Sequence, residues 1–129
     1  MQEKNEIIAY AMDFSSYLIS KVEKINKIIL HGSIARGDFD ESSDIDIFVD
    51  TLEKNLEKKI NNVLEDYQKT SSFREWKLKG IENTFSILTG NLDADEWKNL
   101  KRAMLNTGIT LYGKYKSDIG KAQQYTLLS

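Results

Sequence analysis

The part of the sequence that decides the fold runs His31-Gly32-Ser33-Ile34-Ala35-Arg36-Gly37 and continues, after a polar loop, with Ser43-Asp44-Ile45-Asp46. The apolar run just before Gly32 predicts a short buried strand, residues 27–31, that ends in a glycine and a small hydroxyl residue. A turn of helix is predicted at residues 33–37. A helix that begins here directs free amides outward, and Gly32 allows close backbone approach, so this turn favours an anion.

Residues 44–50 alternate with the period of two that is typical of a half-buried strand. One face carries Ile45, Ile47 and Val49, and the other carries Asp44, Asp46, Phe48 and Asp50. Two carboxylates side by side repel each other unless a cation lies between them. Hard oxygen ligands favour Mg²⁺, and the chain has no cysteine and only one histidine, which disfavours zinc.

An anion site beside a pair of metal-binding carboxylates predicts a nucleoside triphosphate site, where in-line displacement at a phosphorus takes place. The predicted contacts to the nucleotide are Gly32, Ser33 and Arg36, and the predicted Mg²⁺ ligands are Asp44 and Asp46. Two interpretations of Arg36 stay open: a phosphate contact, or a surface ion pair with Asp38 or Asp40.

These residues resemble the signature of the polymerase β-like nucleotidyltransferases, and the short chain resembles their minimal bacterial and archaeal members. The resemblance implies a mixed sheet with helices on one side. It implies that Gly32 and Ser33 contact the triphosphate and that Asp44 and Asp46 bind one or two Mg²⁺. It also implies transfer of a nucleoside monophosphate, most plausibly from ATP, to a hydroxyl acceptor. A small helical HEPN-type protein, in a toxin–antitoxin couple, is the partner that such members often have.

The third carboxylate of active members of that family has no evident counterpart in this sequence. The strand that should carry it, predicted at residues 83–89, contains no acid, and alternation places Ser86 at the position. Glu82 and Glu75 are the candidate substitutes. Two hypotheses therefore stay open: an Mg²⁺-dependent nucleotidyltransferase, or a nucleotide-binding or protein-binding module with weak or no catalysis.

The rest of the chain predicts an α/β (α+β) fold, with helices packed on a mixed sheet of about four or five strands. Helices are predicted at residues 3–24, 52–69, 93–106 and 118–127, and further strands at 73–79 and 109–112. Trp76 and Trp97 are predicted to be core or interface aromatics.

Length and charge exclude several classes of protein. A chain of 129 residues predicts a single domain over residues 1–129. A net charge of -2 and only three arginines disfavour binding to long nucleic acid. No apolar run approaches a membrane span, and the polar first residues are unlike a signal peptide, so we expect a cytoplasmic protein.

Overall fold

The structure, a computed structural model, describes residues 3–113 and contains a mixed four-stranded sheet. The elements follow the order α1 (Lys4–Lys21), β1 (Ile25–His31), α2 (Gly32–Arg36), β2 (Ile45–Thr51), α3 (Glu57–Tyr67), α4 (Ser71–Leu78), β3 (Phe85–Gly90), a 3-10 turn (Asp95–Trp97), α5 (Lys98–Thr107) and β4 (Ile109–Gly113). The helix predicted at 118–127 lies outside the described residues. Within residues 3–113, no helix has the length and apolar character needed to cross a membrane.

The sheet has the strand order β3-β2-β1-β4. β1 pairs antiparallel with both β2 and β4, whereas β3 lies parallel to β2. The mixed sheet with packed helices confirms the predicted fold class. β2 and β1 are the two central strands, and β2 brings Asp46 to the middle of the sheet.

One face of the sheet forms the main core. The side chains of Ile45, Ile47 and Val49 are fully buried there against α1, which contributes Phe14 and Leu18. The spacing of the apolar residues of α1 explains this packing, because positions three and four apart lie on one side of a helix. The alternation predicted for β2 is confirmed.

The other face of the sheet carries a smaller core beneath α5. Ile29 of β1 and Phe48 of β2 pack there against Leu92 and Met104. The expectation that all helices lie on one side is therefore wrong. Phe48 is fully buried, and an apolar side chain that points away from α1 needs a second cover.

The strand predicted at residues 73–79 is wrong, because this segment belongs to helix α4. The Thr70 hydroxyl caps the helix by accepting a hydrogen bond from the Phe73 N–H at 3.2 Å. Phe73 and Trp76, three residues apart, both pack toward Tyr10 of α1, with ring centroids 6.3 and 5.6 Å away. The helical spacing of these aromatics outweighs the alternation on which the strand prediction depended. The helix predicted at 52–69 is confirmed over the shorter range of α3.

A single carboxylate joins three helices in the main core. Asp13 Oδ2 of α1 accepts hydrogen bonds from Tyr67 Oη at 2.7 Å, Ser72 Oγ at 2.6 Å and Trp76 Nε1 at 3.0 Å. Burial raises the pKa of Asp13, but the three donors, Ser72 first, together outweigh burial and hold that pKa below its usual value. Asp13 therefore stabilises the packing of α3 and α4 on α1 as long as it is ionised.

Candidate active site

Gly32 and Asp46, from the two halves of the sequence motif, are in direct contact. Gly32 begins α2 directly after β1 and has a positive φ of 75°. A Cβ added to Gly32 would overlap Asp46 Oδ2 and lie 3.0 Å from Asp46 Cγ. Only glycine therefore allows the turn to lie against this carboxylate in its present position. The adjacency predicted for the turn and the acidic strand is present.

Asp46 lies at the centre of a row of three side chains that crosses the sheet. His31 of β1 is its register partner on one side, and Ser86 of β3 is its register partner on the other. Because residues paired across neighbouring strands point to the same face, all three belong to the face opposite α1. Asp46 and His31 are half-buried in this row, while Ser86 is exposed.

Asp46 has a less favourable charged form than an ordinary exposed carboxylate. Burial raises the pKa of Asp46. Of the neighbouring groups, His31 lowers that pKa most, Asp44 raises it, and Arg36 lowers it. Burial is the larger cause of the raised pKa of Asp46, and the neighbouring Asp44 carboxylate is a smaller one.

Asp44 lies one residue before β2 and is exposed to solvent. Its Oδ1 accepts a hydrogen bond from Thr84 Oγ1 at 3.0 Å. The two carboxylates therefore differ in environment: Asp46 is half-buried against Gly32, and Asp44 is exposed just before the strand. Their oxygen atoms are the donor type that Mg²⁺ prefers.

Ser33 is the second residue of α2 and is half-buried beside this pair. Its carbonyl oxygen accepts hydrogen bonds from the N–H groups of Gly37 at 2.8 Å and Asp38 at 3.1 Å, which close the short helix. The Ser33 hydroxyl makes no hydrogen bond with any of the described residues. It is therefore available to a ligand.

Arg36 forms the ion pair that was one of its two open interpretations. Its Nε lies 3.3 Å from Asp38 Oδ1, and the two side chains are about half and two-thirds exposed. An exposed pair of this kind contributes at most about 1 kcal/mol, so an incoming triphosphate can compete for the guanidinium. The Arg36 side chain thus contacts Asp38 directly, and its positive charge also lowers the pKa of Asp46.

Ser86 stands where a third carboxylate was expected. It is paired in register with Asp46, as alternation predicted. Glu75 lies on α4, whose aromatic side chains pack on the opposite face, and Glu82 is exposed in the loop after that helix. Over residues 3–113, no group of three or more acidic, histidine or cysteine side chains is placed to hold a metal ion.

Two contributors to this site were not predicted from the sequence as site residues. His31 Nε2 is buried and has no hydrogen-bond partner within the described part of the chain. Burial lowers the pKa of His31, with Asp46 acting in the opposite direction, which favours a neutral imidazole beside the carboxylate. Asn83 is buried, and its Nδ2 donates to the Ser43 carbonyl at 2.7 Å. Neither the pairing of His31 with Asp46 nor the hydrogen bond from Asn83 to Ser43 has a local sequence signal, because each joins segments that are distant in the sequence.

Comparisons with known proteins identify the family and the fold of the chain. A family described as "Polymerase beta, Nucleotidyltransferase" matches residues 14–117. Among solved structures, a toxin–antitoxin with AMP-PNP is 20% identical, with a TM-score of 0.52, over 98% of this chain and 90% of that one. A mutant of the toxin–antitoxin MntA-HpeT is 17% identical, with a TM-score of 0.55, over the same shares of the two chains. These likenesses show a shared fold. No curated protein matches the chain.

Proposed function

Because the chain belongs to the polymerase β nucleotidyltransferase family, we propose that it binds a Mg²⁺–nucleoside triphosphate and transfers a nucleoside monophosphate to a hydroxyl acceptor. The observation that carries the proposal is the contact between Gly32 and the Asp46 carboxylate. A triphosphate seated on the turn would have its bound metal beside that carboxylate. ATP is the nucleotide to test first.

The donor set supports a bound Mg²⁺. Asp44 and Asp46 supply carboxylate oxygens, and burial disfavours the charge of Asp46 until a cation lies beside it. In the proposal, these two residues hold Mg²⁺, while Gly32, Ser33 and Arg36 bind the phosphates. The bound ion would supply neutralisation of the phosphate charge.

The reaction joins the acceptor hydroxyl oxygen to the α-phosphorus of the triphosphate. The bond between that phosphorus and the oxygen that bridges to the β-phosphate breaks, and pyrophosphate leaves. The hydroxyl proton must pass to a base or to water. Ser86 beside Asp46 cannot accept it near neutral pH, so β3 places no carboxylate base at the position that faces Asp46.

A second candidate function follows from the presence of Ser86, and not a carboxylate, beside Asp46. A site with two acids and Ser86 can hold a nucleotide without efficient transfer, which describes a nucleotide-binding or protein-binding module. For either function, we propose a small helical HEPN-type protein as the partner, in a toxin–antitoxin couple. The toxin–antitoxin structures that share the fold support a toxin as the partner, and the HEPN type comes from the family resemblance alone.

The test measures transfer of label from ATP labelled at the α-phosphate to the protein encoded next to this chain. We expect weak transfer by the wild type, none by Asp46→Asn, and a gain of about 10²–10⁴-fold in Ser86→Asp, the usual contribution of a general base. Asp66→Asn is the matched control, since Asp66 is exposed on α3.

The outcomes separate the two functions. Transfer that survives Asp46→Asn would contradict the proposed site. Binding of Mg²⁺–ATP without transfer, even in Ser86→Asp, would favour the binding module. Strong wild-type activity that Glu75→Gln or Glu82→Gln abolishes would assign the base to that glutamate. Strong activity that survives both changes would show that the site needs no third carboxylate.

A further inference from the structure

Three hydrogen bonds fasten the segment before β3 to the segment before β2. Asn83 Nδ2 donates to the Ser43 carbonyl at 2.7 Å, and the Ile45 N–H donates to the Thr84 carbonyl at 2.8 Å. Between these two bonds, Thr84 Oγ1 donates to Asp44 Oδ1 at 3.0 Å. The residues on both sides of Asp44 are therefore held by the same dipeptide that contacts its side chain.

We propose that Thr84 is a positioning residue that orients the Asp44 carboxylate toward the metal. The inference rests on the proposed function, because it takes Asp44 as a Mg²⁺ ligand. Asp44 is exposed and precedes the strand, so neither the sheet nor the core restricts its side chain. The Thr84 hydroxyl occupies one lone pair of Oδ1 and limits rotation of the carboxylate. The remaining lone pairs stay available to a cation.

The position of Asn83 explains how a solvent-exposed threonine can hold a fixed direction. Asn83 is only 3% exposed, and its amide anchors the loop that delivers Asp44. The backbone of Thr84 is fixed on its other side by Ile45. The Thr84 hydroxyl therefore belongs to a dipeptide that is hydrogen-bonded to both neighbours of Asp44, through the Asn83 side-chain amide and the Thr84 carbonyl. The rotamer of Thr84 alone then decides whether the hydroxyl contacts Asp44.

The experiment measures Mn²⁺ binding by electron paramagnetic resonance, with the full chain, in the presence and absence of AMP-PNP. Mn²⁺ prefers the same carboxylate oxygens as Mg²⁺. We expect Thr84→Val to weaken Mn²⁺ binding about tenfold, the lower end of effects measured for partners of metal ligands. Thr84→Ser keeps the hydroxyl and should bind nearly as the wild type does.

Thr110→Val is the matched control, because Thr110 is an exposed strand residue at the opposite edge of the sheet. The melting temperature of each variant without metal is measured alongside. Weaker binding in Thr84→Val and Thr84→Ala, rescue in Thr84→Ser and unchanged melting would support the proposal, since a merely structural residue would not alter metal affinity alone.

Two results would overturn the inference, and they differ. If the wild type binds Mn²⁺, Asp46→Asn loses it and Thr84→Val binds as the wild type does, only the role of Thr84 is wrong. If the wild type itself binds no Mn²⁺ with or without AMP-PNP, the proposed function fails, and the role of Thr84 fails with it.

Discussion

The two faces of β2 differ in what they do for the molecule. On one face, Ile45, Ile47 and Val49 are completely buried under α1. On the other face, Phe48 is buried under α5, but Asp46 lies in an open row between His31 and Ser86. One strand thus places a fully buried core side chain and a half-buried carboxylate on adjacent residues. From this comparison we predict that substitutions on the two faces of β2 affect stability and the proposed metal site separately.

The largest expected effect is on stability, and it distinguishes the two faces of β2 by substitutions at the neighbouring residues Ile47 and Asp46. Ile47→Ala should lower the free energy of unfolding by about 2–5 kcal/mol, because Ile47 is fully buried and the substitution leaves a cavity. Asp46→Asn should leave stability unchanged or slightly higher at neutral pH, since burial raises the pKa of Asp46 and disfavours its charge in the folded state. Urea denaturation measures both variants. A large loss of stability in Asp46→Asn would show that the second face is as structural as the first.

The next prediction concerns Asp13, the carboxylate of α1 that accepts hydrogen bonds from α3 and α4. Asp13→Asn should cost about 1–3 kcal/mol at pH 7, because three buried or half-buried donors lose an ionised acceptor. The folded pKa of Asp13 is lowered, so its contribution is present above the ordinary carboxyl pKa and is lost as the pH falls through the folded value. Denaturation of both proteins as a function of pH measures this, with Asp66→Asn as the control. A stability difference that stays constant down to the most acidic pH would contradict the role of the charge.

A smaller effect is expected at Ser33, in the short helix α2 that follows β1. Ser33→Ala removes a hydroxyl that has no partner among the described residues and should leave the fold intact. If that hydroxyl binds phosphate, the affinity for Mg²⁺–ATP should fall about ten- to a hundredfold, the worth of one charge-assisted hydrogen bond. Isothermal titration calorimetry measures the change. Ser20→Ala is a suitable control, because its exposed hydroxyl donates a hydrogen bond to the carbonyl of Tyr17, within its own helix α1. Equal affinity in Ser33→Ala and the wild type would make the turn purely structural.

The sequence predicted the parts of the molecule whose signals are local. The period of β2 assigned its two faces correctly, and alternation along β3 placed Ser86 at the position that the structure pairs with Asp46. The helical spacing of α1 and the short helix after Gly32 were also predicted correctly. In each case the side-chain pattern itself indicates which residues are buried.

What the sequence could not predict depends on contacts between distant segments. Residues 73–79 combine a weak alternation with a helical aromatic pair, and the cap at Thr70 shows which one prevails. Phe48 shares a strand face with the acids, so its cover by α5 was not evident from β2 alone. The bonds from Asn83 and Thr84 to Ser43 and Asp44 span 40 residues, and polar residues before a strand indicate nothing about such partners.

The central claim is that Asp44 and Asp46 together hold a metal-bound nucleotide on the face of the sheet opposite α1. Its most direct test is the rise in melting temperature that Mg²⁺ and ATP cause together. At a hundred times the dissociation constant, binding adds about 2.7 kcal/mol, which corresponds to a rise of about 8–12 °C for a domain of this size. We predict this rise for the wild type and for the charge-matched control Glu65→Gln/Asp66→Asn, which alters only exposed residues of α3. We predict no rise for Asp44→Asn/Asp46→Asn, and a rise of the same size in that variant would contradict the claim.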